Sequence, residues 1–188
     1  MIPSATRRLA PMYTIRKSID IDFAHQIQGH RGACINIHGH TWKFELEVSA
    51  PDLDAEGFVV DFKKLKTDVL GPCHTLLDHS LALSEDLYVK VEPQWIETGK
   101  VLLGTRQAVH GSDYVSAAPI IAELPGARNA FPGGLKVALF GFSPTSERLA
   151  QWLYRFASER LDTPRVKVTS ARIYETLHPV ESVAEYRP

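Results

Sequence analysis

Cysteine is scarce in this chain of 188 residues: only Cys34 and Cys73 occur. Two thiols cannot build a disulfide framework, and free thiols suit a reducing cytoplasm. Long hydrophobic runs are also missing, since none approaches the ~18 residues that a membrane helix requires. Charge of one sign is not in excess either. With 21 Lys and Arg against 22 Asp and Glu, there is no basic field to attract nucleic acid. The first residues, MIPSATRRLAPMY, carry arginines but no apolar stretch behind them, so they do not read as a signal peptide. What is present is an ordinary globular composition, 44% hydrophobic and 23% charged, enough for one core. The expectation is a single cytoplasmic domain over residues 1–188, with no membrane or nucleic-acid partner.

Periodicity organises the chain. Residues 12–24 carry Ile15, Ile19, Ile21 and Phe23 at period two, and residues 41–49 alternate Trp42, Phe44, Leu46 and Val48 with Lys43, Glu45 and Glu47. Both read as half-buried strands forming an antiparallel pair. A helix follows GFVVDF with Asp61 as its N-cap, and Gly71-Pro72 is expected to break or kink it. Residues 135–142 read as a buried strand and 166–176 as an alternating one. Between them a helix is expected with Ser143 as cap, Pro144 in its first position, and Leu149, Trp152, Leu153 and Phe156 on its core face. Residues 84–134, with scattered apolar stretches at 101–103 and 119–124, show no sustained period and read as an insertion decorating the core.

His38-Gly39-His40 places two imidazoles at i and i+2, which on a strand project from one face. His25 ends the preceding strand, so a hairpin would bring all three together. Three neutral nitrogens with an open position are the ligand set of a catalytic zinc ion rather than of a closed structural one. Cys34, four residues before His38, could be a fourth ligand, a general base or a buried filler; a nearby zinc ion would favour its thiolate. Asp78-His79 is a pair in which the carboxylate can fix the imidazole tautomer. Glu175, ending the last strand, is either an edge charge or a carboxylate able to bind the N–H fork of a guanidine-like heterocycle. Arg16, Lys17, Arg31 and Lys43 are the cations nearest the histidines in sequence.

Six short motifs occur in order: DFAH (22–25), Cys34-x-x-x-His38-Gly39-His40, VVDF (59–62), LDH (77–79), PTSE (144–147) and ET (175–176). Together they resemble the 6-pyruvoyl-tetrahydropterin synthase and 6-carboxytetrahydropterin synthase family, over about 13–80 and 135–186. The resemblance implies an α+β tunnelling fold: a four-stranded antiparallel sheet with two helices on one face, joined between subunits into an oligomeric barrel. Such barrels are usually hexamers with sites at subunit boundaries. It further implies that His25, His38 and His40 hold Zn2+, that Cys34 is the general base activated by Asp78 and His79, and that Glu175 anchors the pterin ring.

The three-residue spacer after Cys34 resembles the bacterial members of queuosine biosynthesis. Their implied reaction is a lyase conversion of 7,8-dihydroneopterin triphosphate to 6-carboxy-5,6,7,8-tetrahydropterin, releasing acetaldehyde and triphosphate. The same scaffold also carries 6-pyruvoyl synthesis and aldolase-like cleavage, and a non-catalytic pterin- or metal-binding protein is the reading from another class. Leu83-Ser84 departs from the Leu-Asn that the family commonly has after its Asp-His.

Overall fold

A computed structural model describes residues 12–110, 122–178 and 181–188, with side chains of the long helix described up to Thr98. The N-terminal stretch 1–11 and the 119–121 part of the apolar run lie outside the described residues.

The fold is built on a hairpin in which β1 (Tyr13–His25) and β2 (His38–Ala50) pair without a break, from Tyr13 opposite Ala50 to His25 opposite His38. β7 (Lys167–Thr176) pairs antiparallel with β2, and β8 (Ser182–Tyr186) antiparallel with β7. On the other side of β1 lies β3 (Leu81–Ser84), in parallel, followed by β6 (Val137–Phe140), also parallel. β5 (Ala127–Ala130) and β4 (Glu123–Leu124) complete that edge antiparallel. The order is therefore β4-β5-β6-β3-β1-β2-β7-β8. This corrects the expected four-stranded antiparallel sheet: among the described residues the sheet is mixed and has eight strands. Its antiparallel portions are β1-β2-β7-β8 and β4-β5-β6. β6 lies within the buried strand expected over 135–142, whereas β3 is a short apolar run that periodicity over a longer window cannot isolate.

The helices also differ from expectation. α1 (Phe62–Leu65) starts where Asp61 accepts a hydrogen bond from the Lys63 N–H, as the capping signal predicts. The helix does not break at Gly71-Pro72. It passes through a π-helical turn, Lys66–Leu70, into α2 (Gly71–Leu77). The wider turn lets Gly71 N–H reach the Lys66 carbonyl, and Pro72 falls at the start of α2, where its missing donor costs least. α4 (Ser146–Leu161) is capped by Thr145 rather than Ser143, the Thr145 hydroxyl accepting from the Arg148 N–H, so Pro144 precedes the helix. The stretch 84–134 contains a 26-residue helix, α3 (Glu85–His110), with Pro93 inside it, besides β4 and β5.

Two faces follow from strand alternation. Ile21, Phe23, Trp42, Phe44, Leu46, Val48, Ala171 and Ile173 form the main core with Leu65, Leu70 and Leu76 of the first helical segment and Leu149, Leu153 and Phe156 of α4. On β3 and β6 the alternate residues Leu83, Val137 and Leu139 form a second cluster with Tyr88 of α3. The two expected helical segments thus share the main-core face, and α3 covers the opposite one in addition. The β1-β2-β7 part of that face is polar instead. There Arg172 bonds Glu45 at 2.7 Å and Glu47 at 3.1 Å, and Arg16 bonds Glu47 at 2.7 Å.

Candidate metal centre

The three histidines continue the core stripes. On β1 the sequence Ile21, Phe23, His25 keeps one face; on β2 so do Phe44, Trp42, His40, His38; on β7, Ala171, Ile173, Glu175. At the end of the main core, apolar residues thus give way on three adjacent strands to His25, His38, His40 and Glu175. One ligand atom from each lies within 4.8 Å of all the others. Trp42 makes the floor, fully buried, its ring edge-to-face with His25 at 4.9 Å and His40 at 5.3 Å. Its indole N–H donates to the Phe23 carbonyl.

The backbone fixes how the imidazoles are presented. His25 Nδ1–H donates to the carbonyl of Pro144 at 2.9 Å, and His38 Nδ1–H to that of Asn36 at 2.8 Å. Both Nε2 atoms then carry lone pairs, and they face each other at 3.0 Å. Two acceptors at that distance repel unless a cation or proton lies between them. His40 Nε2 is buried with no hydrogen-bond partner, a state that costs free energy unless something binds it. Burial lowers the pKa of His25, reinforced by His38 and His40 and opposed by the Pro144 carbonyl and Glu175. Burial likewise lowers that of His40, with His38 reinforcing and Glu175 opposing. Neutral imidazoles, a carboxylate oxygen 3.5 Å from His25 Nε2 and 3.9 Å from His40 Nε2, and an orphaned acceptor together fit a divalent ion that takes nitrogen and oxygen ligands.

The remaining expected residues stand apart from this cluster. Cys34 sits in the single 3-10 turn Ala33–Ile35 within the loop between β1 and β2, half-buried, its carbonyl accepting from Ile27 N–H at 2.9 Å. Asp78 and His79 form the corner between α2 and β3, with His79 Nδ1–H donating to Asp78 Oδ2 at 2.8 Å and the imidazole largely exposed. Among the described residues no hydrogen bond joins Cys34 to Asp78 or His79. A cavity of about 420 Å3 opens beside the metal-capable cluster, lined by His40, Thr41, Glu175, Thr176, Leu177 and His178. The place of Glu175 beside the histidines was not anticipated, although the period-two run Ala171, Ile173, Glu175 would have placed it on their face. His178 carried no signal.

A sequence profile described as 6-pyruvoyl tetrahydropterin synthase matches residues 14–188. The chain belongs to the 6-pyruvoyl tetrahydropterin synthase family. Among curated relatives it is 40% identical over 73 residues to the 6-carboxy-5,6,7,8-tetrahydropterin synthase of Haemophilus influenzae, covering 37% of this chain and 51% of that protein. The match to the first of these relatives thus spans about half their length. A longer match reaches the enzyme of the same name from Aquifex aeolicus, 28% identical over 158 residues, 82% of this chain and 75% of the relative. The family's fold is met again in solved structures. An uncharacterized protein of Wolinella succinogenes aligns with TM-score 0.64 at 20% identity over 94% of this chain and 98% of that one. The 6-pyruvoyl tetrahydropterin synthase of Caenorhabditis elegans aligns with TM-score 0.52 at 14% identity over 95% and 96%. At these identities the two structures speak for the α+β tunnelling fold alone.

Proposed function

We propose that this chain is a zinc-dependent lyase that converts 7,8-dihydroneopterin triphosphate, consuming water, to 6-carboxy-5,6,7,8-tetrahydropterin, acetaldehyde and triphosphate. The reaction belongs to the queuosine branch of pterin chemistry. The observation that carries this reading is the meeting of three imidazoles, one of them with an orphaned Nε2, beside a cavity of about 420 Å3. The names of the relatives from Haemophilus influenzae and Aquifex aeolicus, both 6-carboxy-5,6,7,8-tetrahydropterin synthases, support the choice of product.

In this reading His25, His38 and His40 hold Zn2+. The bound ion would supply Lewis-acid polarisation of the substrate's side-chain oxygens. The Pro144 and Asn36 carbonyls keep the His25 and His38 lone pairs turned toward the site, the second layer that orients metal ligands. Cys34 moves a proton on the substrate side chain as general base. Asp78 holds the Nδ1–H tautomer of His79, leaving Nε2 as the proton acceptor. Glu175 anchors the pterin ring by accepting from its guanidine-like N–H groups. In this reading, as the family resemblance implies, the site is completed between subunits of a cytoplasmic homo-oligomer, a hexameric barrel. The separation of Cys34 from the Asp78–His79 pair within one chain is compatible with that arrangement.

The test is incubation of zinc-loaded protein with 7,8-dihydroneopterin triphosphate and identification of products by mass spectrometry. The expected result is 6-carboxytetrahydropterin with acetaldehyde. A 6-pyruvoyl product, or a hydroxymethylpterin from aldolase-like cleavage, would move the chain to another reaction of the scaffold. Zinc binding without turnover would favour a binding protein.

A further inference from the structure

Helix α2 ends against the one strained residue that the site uses. His79 has φ 55°, the single non-glycine residue with positive φ among the described residues. Such a conformation costs on the order of 1–3 kcal/mol and persists where its surroundings over-determine it. Its own N–H donates to the Asp22 carbonyl of β1 at 2.8 Å, and Ser80 N–H donates to Leu77 at 2.9 Å. These bonds hold one side of the corner. The last carbonyls of a helix have no partners within it, and here two side chains from a distant part of the chain take them.

Lys136 Nζ donates to the Thr75 carbonyl at 2.8 Å and to the Asp78 carbonyl at 2.6 Å. Asn129 Nδ2 donates to the Leu76 carbonyl at 2.9 Å and to Val137 at 3.3 Å, while its Oδ1 accepts from Ala122 N–H at 3.2 Å. Asn129 is buried, and the Lys136 carbonyl accepts from Leu81 N–H at 3.1 Å, which ties the same segment to β3 just beyond His79. Thr75, Leu76 and Asp78 are thus held from outside the helix, within four residues of His79.

We infer that Lys136 and Asn129 are positioning residues that clamp the C-terminal carbonyls of α2 and so hold the Asp78–His79 pair in its working geometry. The stretch 84–134 that sequence alone reads as decoration supplies one jaw of this clamp, Asn129, and Lys136 two residues beyond it supplies the other. The inference rests on the proton-transfer role assigned to His79 under the proposed function. Burial lowers the Lys136 pKa, with Asp78 opposing, in keeping with an ammonium held among carbonyls rather than in water.

The experiment compares the full-length wild-type protein with K136M, which keeps the apolar stem but no donors, and K136R, which keeps charge and donors. Ring 15N spectra of His79 report its tautomer, and steady-state kinetics and zinc content are measured alongside. K136M is expected to lose the single Nδ1–H tautomer signal and to drop kcat by on the order of 100-fold, as for a catalytic group displaced by about an ångström. KM and zinc content should stay at wild-type values, with K136R restoring both readouts. Wild-type His79 spectra and kcat in folded K136M would overturn the inference. Should K136M not fold, K136Q replaces it and is judged by the same two readouts. Absence of turnover in the wild type would defeat the proposed function, whereas the His79 spectra would still decide the clamp.

Discussion

His25 and His38 point their Nε2 lone pairs at each other across 3.0 Å because each has given its Nδ1–H to a backbone carbonyl, Pro144 for one and Asn36 for the other. A cation between them turns that repulsion into binding. The wild-type protein is therefore expected to carry one zinc ion per chain, measured by elemental analysis after dialysis. H40A should lose most of it, because the orphaned Nε2 is the third nitrogen. C34A should keep the zinc and lose turnover; loss of zinc in C34A would make the thiol a ligand and overturn its role as base.

Glu175 stands 3.5 Å from His25 Nε2, near enough to serve either the metal or the ring. Replacement by Gln removes the charge and keeps the shape. If the carboxylate anchors the pterin, E175Q retains zinc and its KM rises roughly 10- to 100-fold, the cost of a charge-assisted hydrogen-bond pair. Loss of zinc in step with the carboxylate would instead assign it to the metal.

Gly71 makes a prediction of unusual sign. Alanine in a helix interior is ordinarily better than glycine by about 1 kcal/mol. In this π-helical turn, however, an added Cβ would stand 2.9 Å from the Lys66 carbonyl. G71A is expected to destabilise the protein by about 1–3 kcal/mol through that overlap, read as a lower midpoint in urea at unchanged slope.

Glu47 governs part of the acid stability. Partial burial raises its pKa, but hydrogen bonds from Arg16, Arg172 and Thr169 outweigh this and hold it below its ordinary 4.5. A carboxylate lowered on folding stabilises fully above its unfolded value and loses that contribution as pH falls through the folded one. Melting temperature should thus fall below pH 4.5, and the gap between wild type and E47Q should narrow over the same range. A gap that stays constant with pH would show that Glu47 acts by packing.

The parts of the fold that sequence disclosed are those with long, regular periods. The stripes of β1, β2, β7 and α4 could be read directly, and with them the convergence of His25, His38 and His40. β6 could be read within the buried run 135–142, whereas β3 was obscure because so short a run, three of its four residues buried, shows no alternation. α3 was hidden because Pro93 and two glycines interrupt a helix whose apolar residues do not gather on one face. The cap at Thr145 was misplaced onto Ser143 because Pro144 fits a first helical position as readily as an extended one. Lys136 and Asn129 could not be found at all, since the bonds by which they hold α2 go to carbonyls 53 to 61 residues away and leave no local trace.

The hairpin register also bears on how such chains diversify. His25 and His38 are the final rung of the β1–β2 ladder, so their separation is set by strand pairing and not by the length of the loop that joins them. Residues 26–37 can lengthen, shorten or exchange their reactive group while the ligands stay where they are. The proposed metal site is thus carried by strand pairing, and the proposed general base, Cys34, by the loop.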